Sequence, residues 1–149
     1  MGAFIDNESS DPALSPYSHA AGYTKCERTD LVACSDIRTD VMKIAGDTYN
    51  IQEKNQYIDY KKMILEIKPD IVSVATQPEQ RAEVVIFAAN NGAKAIYAEK
   101  AMSASQDECY EMADACIKNN VAFNLGTNRR YDSGFNSMAN FIKEESLGK

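Results

Sequence analysis

Short apolar runs rich in β-branched residues alternate along this chain with longer segments in which apolar residues recur every three or four positions. A short continuous run predicts a strand that is buried on both faces of a parallel sheet, and the wider spacing predicts an amphipathic helix. The predicted strands are Leu31–Cys34, Ile71–Ala75, Ala95–Ala98 and Val121–Phe123, with a shorter strand near Tyr57.

Capping and turn residues mark the helices that lie between these strands. Ser105 and Glu108 have the spacing of a capping box and open one helix. Another helix is expected from Tyr60 to about Ile67, where Pro69 prevents its continuation. The two clearest apolar stripes are Ala82, Val85, Ile86 and Ala89, and Cys109, Met112, Ala113, Cys116 and Ile117.

Strands that alternate with helices of this length predict βαβ units. The fold class is therefore α/β, with a parallel sheet. The 149 residues are enough for one domain of this kind. The segment from Asp6 to Ser18 has neither periodicity and predicts a long loop.

Composition argues against several classes of function. The net charge of −6 disfavours a broad basic surface for nucleic acid or anionic lipid. No apolar run approaches the ~20 residues of a membrane span, and the N-terminal residues lack the pattern of a signal peptide, so a cytoplasmic protein is expected.

The four cysteines form no CxxC pair and His19 is the single histidine, so we predict neither a metal site nor a disulfide. Cys109 and Cys116 are expected to be small core residues.

Asp36 stands just beyond the first predicted strand. In doubly wound folds a carboxylate at this place accepts hydrogen bonds from the hydroxyls of an adenosine ribose. It repels a 2′-phosphate and therefore favours NAD over NADP, whereas Arg38 is able to contact a 2′-phosphate and keeps NADP open. The structural alternative is that Asp36 forms a turn or caps the next helix.

Polar residues also follow the other strands. Thr76 and Pro78 precede a helix whose free N–H groups attract a phosphate or carboxamide, although the same two residues would also serve to cap and start that helix. Glu99 and Lys100 form either an ordinary surface pair or a site that orients a nicotinamide or a substrate oxygen. Arg130 lies in a pair of arginines that either occupies a solvated turn or holds an anionic group.

In this order along the chain, the strand-end motifs resemble those of the Gfo/Idh/MocA oxidoreductase family. The resemblance covers nearly the whole chain and is carried by Asp70–Pro78, Glu99–Met102 and Asn128–Asp132. Ser18–Ala20 and Leu31–Asp36 fit the earlier part of the same domain, and Phe141–Lys149 resembles the segment that leads into the family's second domain.

The resemblance implies a Rossmann-like, doubly wound parallel sheet, here incomplete at the N-terminus. It also implies an NAD(P)-dependent oxidoreductase that acts on the CH–OH group of a sugar- or polyol-like substrate. It implies that Asp36 meets the adenosine ribose, that Thr76 and Pro78 lie along the cofactor, and that Glu99 and Lys100 lie near the nicotinamide. Lys100 is expected to be catalytic or to position the cofactor.

Two positions inside the chain depart from the family's pattern. Ala101 replaces the proline of the usual Glu-Lys-Pro, which loosens the backbone beside Lys100. Arg81 stands where a histidine is common, so any role at that position is in doubt.

The front of the chain departs further. Met1 to Phe4 resembles the tail of Gly-x-Gly-x-Phe, which assigns Gly2 and Phe4 to the cofactor site, but the apolar first strand and the first glycine are missing. We interpret Met1 as an internal methionine of a Gly-Met-Gly sequence. Residues 1–149 are then a truncated Rossmann domain whose central strand is lost, so that Leu31–Cys34 and Ile71–Ala75 each lack a partner on one edge.

The resemblance also implies a C-terminal α+β substrate domain that supplies the catalytic base and is absent here. We expect the fragment to be inactive alone and the full-length protein to form a homo-oligomer. Arg130 is expected beside the active site. His19 is expected at the start of the first helix, where it lies either on the surface or near the cofactor phosphates. The alternative function is a non-catalytic NAD(P)-sensing protein of the same fold, against which the retained Lys100 argues.

Overall fold

The computed structural model of the chain describes residues 16–144. Helices and strands alternate along it. They are α1 (His19–Lys25), β1 (Cys34–Ser35), α2 (Thr39–Tyr49), β2 (Gln56–Tyr57), α3 (Tyr60–Ile67), β3 (Ile71–Val74), α4 (Pro78–Asn90), β4 (Ala95–Ala98), α5 (Gln106–Lys118), β5 (Ala122–Leu125) and α6 (Ser133–Lys143), with 3-10 turns at Glu53–Asn55 and Asn128–Tyr131.

Every strand pair is parallel, which confirms the α/β prediction. β1 pairs with β2, and β3, β4 and β5 form a second sheet in that order. The register places Val74 beside Ala98 and Ala98 beside Leu125, so the three strands end at a common edge. Within residues 16–144 the two sheets are not paired with each other, and β1 and β3 each pair with a single strand. These are the two strands for which an unpaired edge was predicted.

The main core lies between one face of the three-stranded sheet and helices α4 and α5. Val72, Val74 and Ile96 are buried there, together with Val85 and Met112 from the helices. The second cluster, in which Cys34, Met42 and Ile51 are buried, joins β1 to α2.

The prediction that each strand is buried on both faces is wrong for the described residues. Burial alternates along β3 and β4, because α4 and α5 cover only the face that carries Val74 and Ile96. Ser73 and Tyr97 lie on the opposite face and are half-buried. A second layer on that face begins with His19 of α1, whose ring centroid lies 4.6 Å from that of Tyr97.

Local signals placed most elements correctly. The prediction for β4 matches the structure, and those for β3 and β5 differ by one or two residues, whereas Leu31–Cys34 overlaps β1 only at Cys34. Ser105 Oγ accepts the N–H of Glu108 at 3.2 Å in the predicted capping box. All four cysteines are free; Cys116 is buried as expected and Cys109 is half-buried. No helix of the described part of the chain is long and apolar enough to span a bilayer.

Candidate functional site at the carboxyl edge of the sheet

The loops that follow β3, β4 and β5 lie side by side. The N–H of Glu99 donates to the carbonyl of Val74 at 3.0 Å, and the N–H of Gly126 donates to the carbonyl of Ala98 at 2.7 Å. The ladder therefore continues one residue beyond each strand, which fixes the positions from which the loop side chains leave the sheet. This edge is the one at which open α/β sheets bind ligands.

Thr76 lies in the loop between β3 and α4. The alternative that its side chain caps the helix is wrong, because the cap is Gln77 and makes no side-chain capping bond. Pro78 is the first residue of α4, as predicted. Thr76 Oγ1 is buried and has no hydrogen-bond partner among the described residues. An orphaned buried hydroxyl costs free energy, so a bound ligand that accepts or donates a hydrogen bond there would relieve it.

Glu99 is held by two different donors rather than by its neighbour's ammonium group. Its Oε1 lies 3.1 Å from Nε2 of His19, and its Oε2 accepts the backbone N–H of Lys100 at 3.1 Å. Nδ1 of His19 is hydrogen-bonded to the hydroxyl of Ser73 on β3. Because a carboxylate only accepts, Nε2–H of His19 donates to Glu99.

Two tyrosines border this Glu99–His19–Ser73 chain on the same face of the sheet. Burial, followed by the negative charge of Glu99, raises the pKa of Tyr97. Burial also raises the pKa of Tyr23, although its hydrogen bond with Ser73 acts in the opposite direction. The face of the sheet opposite the main core therefore carries a connected polar cluster next to the strand ends.

Lys100 leaves this edge towards solvent. Its side chain is exposed and forms no salt bridge with any residue from 16 to 144, so the predicted alternative of a Glu99–Lys100 surface pair is not what the structure contains. Gly126 follows β5, and a Cβ at this position would make tight contacts, 3.2 Å from Oε1 of Glu99 and 3.3 Å from the carbonyl of Ala98.

Asp36 and Arg38 follow β1, in the other sheet. Asp36 Oδ1 accepts the N–H of Arg38 at 2.9 Å, at the residue that precedes α2. This bond matches the structural alternative for Asp36. Arg38 pairs with Asp40, with 2.6 Å between Nη2 and Oδ2, and this pairing raises the pKa of Arg38 and lowers that of Asp40. A 2′-phosphate would have to compete with Asp40 for the guanidinium.

The remaining predicted residues are not joined to this edge. Arg130 lies in the exposed 3-10 turn after β5, and no side-chain hydrogen bond or ion pair within residues 16–144 connects it to Glu99 or Lys100. Gly2 and Phe4 lie outside the described residues. No group of histidine, cysteine or carboxylate side chains in the described part of the chain is arranged to hold a metal ion.

Sequence reasoning missed Ser73 and Tyr97 as members of the site. It placed His19 at the start of α1, as the structure has it, but the expected surface position is wrong, because the side chain is 11% exposed and lies against the sheet. Ser73 and Tyr97 lie within strands that were predicted from their apolar residues, so neither residue was expected to belong to the site. The one available signal was the polar residue within each otherwise apolar strand, which marks a face that is not part of the main core.

Comparison with known sequences identifies the family context of this site. Residues 13–127 match the Gfo/Idh/MocA oxidoreductase family, described by its NAD-binding Rossmann fold. The chain is 30% identical over 121 residues to the inositol 2-dehydrogenase of Salmonella typhimurium, and this alignment covers 80% of the chain and 35% of that enzyme. The resemblance predicted from the strand-end motifs is thereby confirmed, as is NAD as the family's cofactor.

Solved structures agree with this result. The myo-inositol 2-dehydrogenase of Lactobacillus plantarum superposes with a TM-score of 0.81 at 25% identity, covering 88% of this chain and 38% of that one. The scyllo-inositol dehydrogenase of Lactobacillus casei, solved with NAD(H) and scyllo-inositol, superposes with a TM-score of 0.79 at 18% identity and the same coverage, which concerns the fold alone. The chain thus spans little more than a third of the length of these relatives.

Proposed function

This chain belongs to the Gfo/Idh/MocA oxidoreductase family, and we propose that it forms the cofactor-binding part of an enzyme that transfers a hydride between a nicotinamide cofactor and the CH–OH carbon of a sugar- or polyol-like substrate. The inositol dehydrogenases among its relatives support a cyclic polyol as one substrate class. The rest of the enzyme, including the substrate domain, would correspond to the parts of the relatives that this chain does not span.

The observation that carries the proposal is the buried hydroxyl of Thr76 at the carboxyl edge of the sheet, which has no hydrogen-bond partner within residues 16–144. It lies directly before the N-terminus of α4, where free N–H groups and the helix dipole favour an anionic or amide ligand. The residues present therefore fit a dinucleotide. When bound, the nicotinamide supplies the hydride acceptor and donor that no amino-acid side chain provides.

The chain's own residues bind and orient the reacting groups. Asp36 accepts hydrogen bonds from ribose hydroxyls, and Thr76 and Pro78 lie along the cofactor. Lys100, which is exposed and without a salt bridge in residues 16–144, donates to a substrate or carboxamide oxygen from the same edge. Glu99 keeps its place through His19 and through the N–H of Lys100. A base outside this chain takes the proton of the substrate hydroxyl.

NAD is the expected dinucleotide, because the carboxylate of Asp36 disfavours a 2′-phosphate and Arg38 is already paired with Asp40. The four free cysteines fit a reducing compartment such as the cytoplasm. The acidic net charge of −6 disfavours nucleic acid as a partner. Association into a homo-oligomer remains an expectation for the full-length protein.

A titration of the chain with NADH and with NADPH, followed by cofactor fluorescence, tests the binding step. We expect the chain to bind NADH more tightly than NADPH. Thr76→Val should weaken the affinity for NADH by about fivefold, because one hydrogen bond is lost. Asp36→Ala should reduce the difference in affinity between NADH and NADPH. Thr48→Val is the matched control, since the Thr48 hydroxyl donates to the carbonyl of Ile44 within its own helix α2. A chain that binds neither dinucleotide, or that loses equal affinity in both threonine variants, contradicts the proposal.

The catalytic step separates this function from the sensing alternative. In the longer protein, Lys100→Met should abolish dinucleotide-dependent oxidation of polyols while leaving cofactor binding measurable. If the longer protein, with Lys100 intact, binds NADH but oxidises no polyol, the result would favour the alternative function of a non-catalytic NAD(P)-sensing protein.

A further inference from the structure

Arg81 lies inside the molecule at the start of α4, yet no carboxylate is paired with it. The residue is 2% exposed, and none of the salt bridges among residues 16–144 includes it. Burial lowers the pKa of its guanidinium, while the charges of Glu99 and Glu79 act from a distance in the opposite direction. Burying a charge without a paired counter-charge is costly, and the positive end of the α4 dipole adds to the cost. Apolar packing would be served better by a methionine or leucine.

The guanidinium of Arg81 joins two loops of the candidate site. One amino group donates to the carbonyl of Ala101, and the other donates to the carbonyl of Thr76. These carbonyls follow the neighbouring strands β4 and β3, which are paired in parallel at Val74 and Ala98. Since a helical side chain points back towards the N-terminus of its helix, position 81 is placed to reach both loops at once. The planar fork of arginine supplies two donors in fixed relative positions, which lysine does not.

The backbone at position 101 is restrained at this contact. The carbonyl of Ala101 accepts a hydrogen bond from the buried guanidinium of Arg81. A proline ring would restrict the backbone at position 101 by fixing φ. With alanine there, the hydrogen bond from a buried guanidinium restrains the same residue from outside the backbone.

We propose that Arg81 is a positioning residue that holds the loop carrying Lys100 against the loop carrying Thr76, and that its hydrogen bond restrains the backbone at position 101 as a proline ring there would. That Lys100 then serves a nicotinamide or substrate rests on the proposed function. The hydrogen bonds that join the two loops are formed by this chain's own residues, so their test needs no cofactor.

The test is the backbone ¹⁵N order parameter of the two loops, measured for the whole chain and for Arg81→Met. We expect the values at Thr76, Lys100 and Met102 to fall from about 0.85 to about 0.6 or below, while those of β1 and α2 stay constant. Arg81→Lys keeps a charge of the same sign but has one nitrogen in place of the two that reach the separate carbonyls, so it should loosen at least one loop. This variant replaces Arg81→Met in the test if the methionine variant does not fold. Gln80→Met, an exposed position in the same helical turn, is the control and should change neither loop.

The decisive variant combines Arg81→Met with Ala101→Pro. We expect the proline to restore the order parameters at Lys100 and Met102 and to leave Thr76 mobile, because the ring acts only on its own loop. Unchanged loops in Arg81→Met, or a fall that is uniform over the whole chain, would overturn the positioning role. Failure of the proline to restore the order parameters of the Lys100 loop would overturn the restraint at position 101.

Discussion

His19 and Glu99 are 80 positions apart in the chain, and their Nε2 and Oε1 atoms lie 3.1 Å apart at the end of β4. The side chains are 11% and 30% exposed, respectively, so the contact is shielded from water on most sides. Because Ser73 bonds the other ring nitrogen, a single imidazole joins α1, β3 and β4 at the edge where Lys100 leaves the sheet. The contact orders Glu99 before any ligand arrives.

Loss of this contact should destabilise the fold in a coupled manner. We expect His19→Ala to lower the free energy of unfolding by about 1–3 kcal/mol, because Ser73 and Glu99 are left without their partner. A double-mutant cycle with Glu99→Ala, measured by urea unfolding, should give a coupling of about 1 kcal/mol. Strictly additive effects of the two substitutions would show that the two side chains do not stabilise one another.

Two glycines should respond to alanine in opposite directions. A Cβ at Gly126 would crowd Glu99 and the Ala98 carbonyl, so Gly126→Ala should destabilise the chain by about 1 kcal/mol. Gly22 lies within α1 and a Cβ there meets nothing within 4 Å, so Gly22→Ala should stabilise by about 0.5 kcal/mol or more. Thermal unfolding of both variants checks the signs, and a stabilising Gly126→Ala would contradict the tight strand-end geometry.

The capping box of α5 provides a test of helix nucleation. Ser105→Ala should cost about 1 kcal/mol, because the N–H of Glu108 loses its acceptor. Ser105→Asp keeps an acceptor at the same place and should retain most of the stability. Equal losses in the two variants, measured by denaturant midpoint, would indicate that the hydroxyl acts through something other than the cap.

The contact between α3 and α4 predicts a pH dependence. Burial, followed by the hydrogen bond to Glu83, raises the pKa of Tyr60 from 10.0 to about 12. The folded state therefore favours the neutral phenol. The contribution of Tyr60 to stability is complete below pH 10.0 and is lost as the pH rises through about 12.

Ultraviolet titration of tyrosinate checks this assignment. The last tyrosine to ionise should disappear from the curve in Tyr60→Phe, and Glu83→Gln should bring its midpoint closer to the ordinary value, because the carboxylate at 3.0 Å no longer opposes a negative phenolate. A titration curve that is unaffected by Tyr60→Phe at its alkaline end would refute the assignment.

Local signals in the sequence account for most of the elements. β-Branched runs placed β3 to β5, Ser105 and Glu108 set the start of α5, and the order of strand-end motifs led to the correct family. They failed where the signal was not local. Both-face burial was inferred from apolar continuity, but whether a second layer covers a strand depends on helices elsewhere in the chain.

The alternation of elements, their caps and the positions of Thr76, Glu99 and Lys100 at strand ends were determined by the sequence alone, since each depends on residues a few positions apart. Tertiary structure decided which of those side chains meet. A hydrogen bond between His19 and Glu99, or between Arg81 and the carbonyl of Ala101, arises only when parallel strands bring distant loops to one edge. Periodicity tells which face a residue occupies but not which remote residue will lie opposite it, so these contacts had no signature in the sequence.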